Sequence, residues 1–327
     1  MTARPASGSA AGSLADAPVV AEVVRSGFVE SLHHGHVVAT GPDGQVLWSL
    51  GSPGTPMFPR SSNKPLQAVA MLRCGLDLDG APLALACASH SGEPFHLDAV
   101  RDVLARAGLG EADLQNTADL PYDEQERRAW LAAGLSPTAL AQNCSGKHAA
   151  MLATCVARGW DRASYRQADH PLQLAVGATL ADLAGEPVAA TGVDGCGAPV
   201  MALSLTGLAR AFGRIASARR GAEARVGAAM RGFPTYLGGS RRDVTALVAG
   251  VPGLVAKDGA EAVYAAGLAD GRGVAVKIAD GSGRARPVVL AAALRRLGLT
   301  GPVLDQLSDA PVLGHGERVG EVRAVLG

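Results

Sequence analysis

An α+β fold is predicted by where the strand-forming residues lie in this 327-residue chain. Apolar alternation broken by tight turns occurs near both ends, and the middle reads as a succession of helices. No strand–helix–strand alternation runs along it, which disfavours a doubly wound nucleotide fold. Strands from both termini are therefore expected to meet in one mixed sheet packed against helices. No linker separates the helical portion, about 62–235, so residues 19–327 are expected to form a single domain.

The elements follow in order. Residues 1–18, "MTARPASGSAAGSLADAP", are small, polar and free of an apolar core, so a disordered leader is expected rather than a signal peptide. "VAEVVRSGFVESLHHGHVVATGPDGQVLWSLG" reads as strands with "GPDGQ" as a hairpin turn. "NKPLQAVAMLRCGL", "HLDAVRDVLARAGL" and "YDEQERRAWLAAGL" each end in Gly-Leu, a helix-terminating signature. Four more helical stretches follow, from "GKHAAMLATCVARGW" to "GAEARVGAAMRGF". "EAVYAAGLADGRGVAVKIADG" repeats strand, turn, strand, and "PVVLAAALRRLGL" is a late helix with Pro287 near its first turn.

Composition narrows the function. Thirty basic residues balance thirty acidic ones, and aromatics are 4%, so neither nucleic acid nor an anionic membrane is an expected partner. No apolar run reaches the roughly 18 residues that a membrane-spanning helix needs. A small, neutral-to-zwitterionic substrate suits the balance. Five cysteines in a long chain argue for a reducing, cytoplasmic setting rather than a disulfide framework. Only four lysines occur, Lys64, Lys147, Lys257 and Lys277, against twenty-six arginines. In so arginine-biased a chain, lysines in Gly-, Ser- and Asp-rich contexts point to work a guanidinium cannot do, such as losing a proton.

Seven segments carry candidate chemistry. In "PRSSNKPLQA", Ser61 and Lys64 stand three apart at a helix start marked by Pro65, where a desolvated lysine can take a serine proton. The bland reading is an N-cap serine and a surface lysine. In "CASHSGEP", after an apolar strand or buried segment, Ser89 offers a second hydroxyl, His90 a proton carrier and Glu93 a partner for a substrate ammonium. Alternatively, Ser91 and Glu93-Pro94 simply open the next helix. In "NCSGKHAAM" and "TGVDGCGAPV", Cys144 and Cys196 sit in separate Gly turns. With a nitrogen from Lys147 or His148 and a water they make a tetrahedral zinc set, although no C-x-x-C spacing supports one. Asp194 is alternatively a partner for a substrate amine. In "AKDGAEA" and "VAVKIADG", Lys257 and Lys277 are a second base or an anion holder, and Lys277 is equally read as a solvated strand residue. Arg242 in "SRRDVTAL" has the fork to clamp a carboxylate, although an exposed arginine is its default.

Taken together, "VESLHHG", "RSSNKPLQA", "ASHSGEP", "NCSGKHAAMLATC", "DHPLQ", "DGCGAPV", "SRRDVTAL", "KDGAEA" and "VAVKIADG" resemble the asparaginase II family, the class 3 or Ser-Lys type L-asparaginases, from about Val20 to the C-terminus. The resemblance implies hydrolysis of L-asparagine to L-aspartate and ammonia on a fold similar to serine β-lactamases and penicillin-binding enzymes. It implies two catalytic pairs, Ser61 with Lys64 and Ser89 with Lys257. It also implies a zinc position held by Cys144, Lys147 and Cys196 with Asp194 alongside, modulating rather than generating the nucleophile. Arg60 and His148 match positions near that site, and a homodimer is expected. Two departures stand out: Ala262 where the family pattern has glycine, and His34 beside the motif histidine His33. The rival readings are a glutaminase, an S-x-x-K acyl-enzyme acting on β-lactams or D-peptides, and a non-catalytic zinc-stabilised binding protein.

Overall fold

The computed structural model describes residues 14–327. Residues 1–13 of the expected leader lie outside them, but its last part is ordered. Leu14–Asp16 form a 3-10 turn, Ala17 is buried, and His34, the departure from the family pattern, contacts the Ala17 carbonyl through Nδ1 at 2.6 Å.

Eight strands build the main sheet: β1 (Val19–Arg25), β2 (Phe28–Thr40), β3 (Val46–Leu50), β4 (Val255–Asp258), β5 (Val263–Gly267), β6 (Gly273–Ile278), β7 (Pro311–Gly314) and β8 (Glu317–Ala324). Their order is β7-β8-β1-β2-β6-β5-β4, with β3 also paired to β2. Both termini and the 255–278 segment thus interleave in one sheet. The expectation of a mixed sheet is corrected, because every pairing in it is antiparallel. The reason is local: tight turns join most sequential strands, whereas parallel neighbours need a crossover for each pair. Ser26-Gly27 and His315-Gly316, each with two positive φ angles, supply two of those hairpins.

Among the described residues, twelve α-helices accompany the main sheet: α1 (Lys64–Arg73), α2 (Gly80–Ala86), α3 (Pro94–Arg106), α4 (Glu124–Ala132), α5 (Ser145–Arg158), α6 (Pro171–Ala184), α7 (Leu205–Ser217), α8 (Gly221–Gly232), α9 (Pro234–Leu237), α10 (Asp243–Gly250), α11 (Arg286–Arg296) and α12 (Pro302–Ser308). The apolar run before "CASHSGEP" is helix α2, not a strand. Its apolar composition reflects burial on a short helix rather than sheet alternation.

Helix α7 seats directly on the sheet. A side chain at Gly267 would place its Cβ 2.0 Å from the Phe212 carbonyl oxygen, and one at Gly273 would lie 1.9 Å from that of Ala209. Helix and sheet backbones therefore touch, and only glycine permits it. Leu208 and Phe212 on that helix are fully buried, each stabilising the contact by roughly 1.5–3 kcal/mol. Helix α11 packs on β5 and β6 and helix α10 on β4, which is why these three strands are buried along their whole length. No helix among the described residues is long and apolar enough to cross a membrane.

Candidate active site

Residues Arg60–Asn63 form a 3-10 turn that runs straight into α1. Arg60 adopts φ +52°, a left-handed conformation that a side-chain-bearing residue holds only when its surroundings enforce it. That turn leaves Ser61 partly exposed and sends Lys64 inward, where it is 1% exposed.

The lysine does not end on its near neighbour. Lys64 Nζ donates to the Ala88 carbonyl at 2.5 Å and to Ser89 Oγ at 3.1 Å. From the opposite side, Lys257 Nζ on β4 reaches the same Ser89 Oγ at 3.0 Å. A lysine–serine–lysine bridge results, joining the two expected pairs through Ser89. The Ser61 hydroxyl makes no hydrogen bond among the described residues. Lys257 is fully buried, and that burial, reinforced by the Lys64 charge, pushes it down to about 8 against the opposing pull of Asp258.

Next to the Ser61 turn, Arg60 Nε donates to Asp194 Oδ1 at 2.8 Å. Burial of Asp194 opposes its ionisation, but Lys147 and Arg60 together keep its carboxyl below the usual range. Beside it lie Cys144 and Cys196, both buried, with Cys144 Sγ donating to Asn143 Oδ1 at 3.0 Å. Their mutual interaction shifts the two thiols in opposite directions, pulling Cys144 well below the ordinary thiol range and pushing Cys196 up. Lys147 Nζ donates to Cys196 Sγ at 3.1 Å. Burial favours the neutral amine of Lys147, yet the surrounding thiols and Asp194 raise its pKa. Lys64 also faces Cys144, so the thiol cluster borders the serine–lysine bridge. No three His, Cys, Asp or Glu side chains converge as a metal-holding group among the described residues. The expected donor set draws its third member from lysine.

The other expected residues are placed as follows. His90 Nε2 lies 2.8 Å from Ser145 Oγ, and burial keeps it neutral, its pKa far below the usual value. It ties the Ser89 loop to the start of α5. Glu93 accepts the Ser240 amide at 2.8 Å on one oxygen and the Ser240 hydroxyl on the other, so it pins the 238–240 loop instead of facing an open site. Pro94 does open α3, as the alternative reading had it, but Ser91 bonds the Gly238 carbonyl rather than capping that helix. His148 Nδ1 meets the Tyr165 hydroxyl at 2.6 Å, and burial then Lys147 lower its pKa. Its Nε2 is buried without a hydrogen-bond partner. Arg242 is neither exposed nor open to a substrate carboxylate. It binds Asp258 at 2.5 Å and the Ser89 carbonyl at 3.2 Å, with its guanidinium 4.6 Å over the Tyr122 ring. Lys277 lies apart on β6, buried and bonded to the carbonyls of Glu261 and Ile278, so the solvated-strand reading of it is corrected.

Sequence reasoning missed Asp258, Arg286 and Tyr165. Asp258 was detectable as the acid directly after a rare lysine. Nothing local marks Arg286, which lies 28 residues further along the chain.

A sequence model of the family described as L-asparaginase II matches residues 21–324. No curated protein matches the chain. Among solved structures, a crystal structure of Mglu aligns over 81% of this chain at 16% identity and a TM-score of 0.35. Mglu in its tris and glutamate form aligns over 87% at 14% identity and 0.34. The chain spans 66% and 63% of the length of those two structures, and at such scores the likeness enters no argument.

Proposed function

The chain belongs to the L-asparaginase II family, and from that membership and the site's geometry we propose that it is a Ser-Lys amidohydrolase converting L-asparagine to L-aspartate and ammonia. The observation that carries the reading is the bridge itself, Ser89 Oγ held between two buried lysine amines at 3.1 and 3.0 Å. Such a bridge moves protons between serine and lysine without a histidine or a metal-bound water. The adjoining Arg60–Asp194 pair is complementary to an amino-acid zwitterion, with Asp194 for the ammonium and Arg60 for the carboxylate.

In the proposed sequence, Ser61 Oγ bonds to the side-chain amide carbon of asparagine and its proton passes by way of Lys64 and Ser89 to Lys257, the lysine whose burial favours the neutral amine. Lys64 returns a proton to the departing nitrogen, the C–N bond breaks, and ammonia leaves. Water then attacks the β-aspartyl ester by the reverse proton path and frees Ser61. Ser89 exchanges protons between Lys64 and Lys257 throughout. Ser61 suits the attacking role because it is partly exposed and internally unpartnered. A second reading makes Ser89 the nucleophile, since both lysines already bond to it.

The thiol cluster fits a zinc ion: two soft donors are buried together, an amine touches one of them, and a carboxylate lies beside it. Cys144, Lys147 and Cys196 would hold it, with Lys147 giving up its proton. A bound zinc would supply charge beside Asp194 and order the two Gly turns. The proposal extends to a fold of the serine β-lactamase and penicillin-binding kind, in one domain spanning residues 19–327. It also includes a cytoplasmic location and a homodimer.

The test is ammonia release from asparagine and from glutamine by Ser61→Ala, Ser89→Ala and Lys64→Ala proteins, with intact-mass detection of a trapped acyl-enzyme. Activity in all three variants would sink the proposal. An adduct that persists in Ser61→Ala and vanishes in Ser89→Ala would move the nucleophile to Ser89. Glutamine is longer by one methylene, worth ~1–3 kcal/mol in a pocket, so the parallel assay decides the preference.

A further inference from the structure

Lys257 donates to more than Ser89. Its Nζ also lies 2.8 Å from Asp258 Oδ1 and 2.6 Å from the Asp258 carbonyl oxygen, so all three donor directions of an ammonium are occupied. The other carboxylate oxygen, Asp258 Oδ2, is held by Arg242 at 2.5 Å and by Arg286 at 3.4 Å. Arg242 then reaches back to the Ser89 carbonyl at 3.2 Å. These contacts close a ring from Ser89 Oγ to Lys257, to Asp258, to Arg242, and back to the Ser89 backbone.

We infer that Asp258, clamped by Arg242 and Arg286, is a positioning residue that holds Lys257 on Ser89 and sets the pH at which that lysine gives up its proton. The inference rests on the Ser-Lys reading for its catalytic meaning. Its geometric content stands apart from that reading. A lysine has a long flexible stem, and hydrogen bonds to Asp258 remove rotamers that would take it off Ser89. The clamp is needed because a carboxylate 3% exposed without cations would itself be costly to ionise. Arg286 is fixed in turn by Asp243 at 3.3 Å and by the Gly259 carbonyl at 3.2 Å, with its guanidinium 5.0 Å over the Tyr264 ring.

The titratable and charged groups around Lys257 set the sign. Asp258 on its own strand favours the ammonium. Lys64 from α1 and Arg242 from the start of α10 oppose it. Cys87 at the end of α2 feels the lysine charge but is itself pushed up to about 12 by burial, so it stays a neutral thiol. Arg286 from α11 acts on Lys257 through Asp258, and Tyr264 from β5, pushed well above its usual value by burial, stays neutral. Removing the Asp258 charge therefore lowers the Lys257 titration, and removing Arg286 raises it.

Only four lysines occur in the chain, so lysine-selective 13Cε NMR can follow each one without any substrate. In Asp258→Asn, the Lys257 signal should titrate at least one pH unit lower than in the unaltered protein. Arg286→Gln should shift it the other way, which keeps the inference testable if Asp258→Asn does not fold. In the same proteins, the acid limb of kcat for ammonia release should move with the signal. KM should stay within about threefold while kcat falls about tenfold or more. A Lys257 titration that neither variant moves, in folded protein, overturns the inference. If the titration shifts but the unaltered protein releases no ammonia, the functional reading fails and the positioning of Lys257 by Asp258 stands.

Discussion

Lys64 Nζ donates to Ser89 Oγ at 3.1 Å across 25 residues of sequence, although Ser61 is only three residues away. A helix-face argument from spacing pairs the lysine with the nearer serine. The folded chain instead brings the end of α2 against the start of α1, and the lysine serves the hydroxyl of the loop that follows α2. Two expected pairs thereby become one connected network through Ser89.

Activity should rise with pH through a midpoint near 8. Lys257 is pushed down to about 8, is charged below that value, and accepts a proton only above it. On the acid side kcat should therefore fall about tenfold for each pH unit. A pH–rate profile with no limb between about 7 and 9 would show that Lys257 does not act as a base.

Asp194→Asn should raise KM for asparagine more than it lowers kcat. Asp194 is 12% exposed at its side chain and bound to Arg60, so it offers a charge-assisted contact of about 1.5–3 kcal/mol, equivalent to ~10- to 100-fold. Steady-state kinetics separate the two constants. A fall confined to kcat would place Asp194 in the chemistry rather than in binding.

Protein purified with zinc available should carry about one metal per chain, and Cys196→Ser should lose most of it. Elemental analysis reads this without reference to activity. A chelator should reduce turnover without abolishing it, because the nucleophile is a serine. Metal-free protein together with an unaffected Cys144→Ala variant would remove zinc from the proposal.

Ala262→Gly should stabilise the protein. Ala262 holds φ +51° directly after Glu261 at +55°, and a left-handed alanine costs ~1–2 kcal/mol. Glycine's greater freedom in the unfolded chain takes back about 0.4–1 kcal/mol. A net gain of about 0.5–1 kcal/mol should appear as a higher urea midpoint. A lower midpoint would mean that the Ala262 methyl, 2% exposed, contributes more by packing than the turn loses by strain.

Much of the fold was readable because helices and hairpins are written in short-range patterns. The "GPDGQ" turn closes as Gly41 to Gln45, and Gly108 and Gly134 end their helices at positive φ. The sheet's pairing was less readable. Strand order depends on contacts between residues hundreds apart, such as Ala21 with Ala324, and the helix α2 run was ambiguous because continuous burial erases the period that separates helix from strand.

The sequence by itself determined the α+β class, the family and the cast of rare lysines, thiols and serines, since each is a matter of residue type and local spacing. Only the tertiary structure decided who meets whom. It turned Lys64 from Ser61 to Ser89, closed Arg242 onto Asp258 instead of leaving it open, and drew Glu93 into the Ser240 loop. The physical reason is that a buried charge or donor takes whatever partner the packed chain brings within about 3 Å, because leaving it unpaired costs more than any local preference can repay.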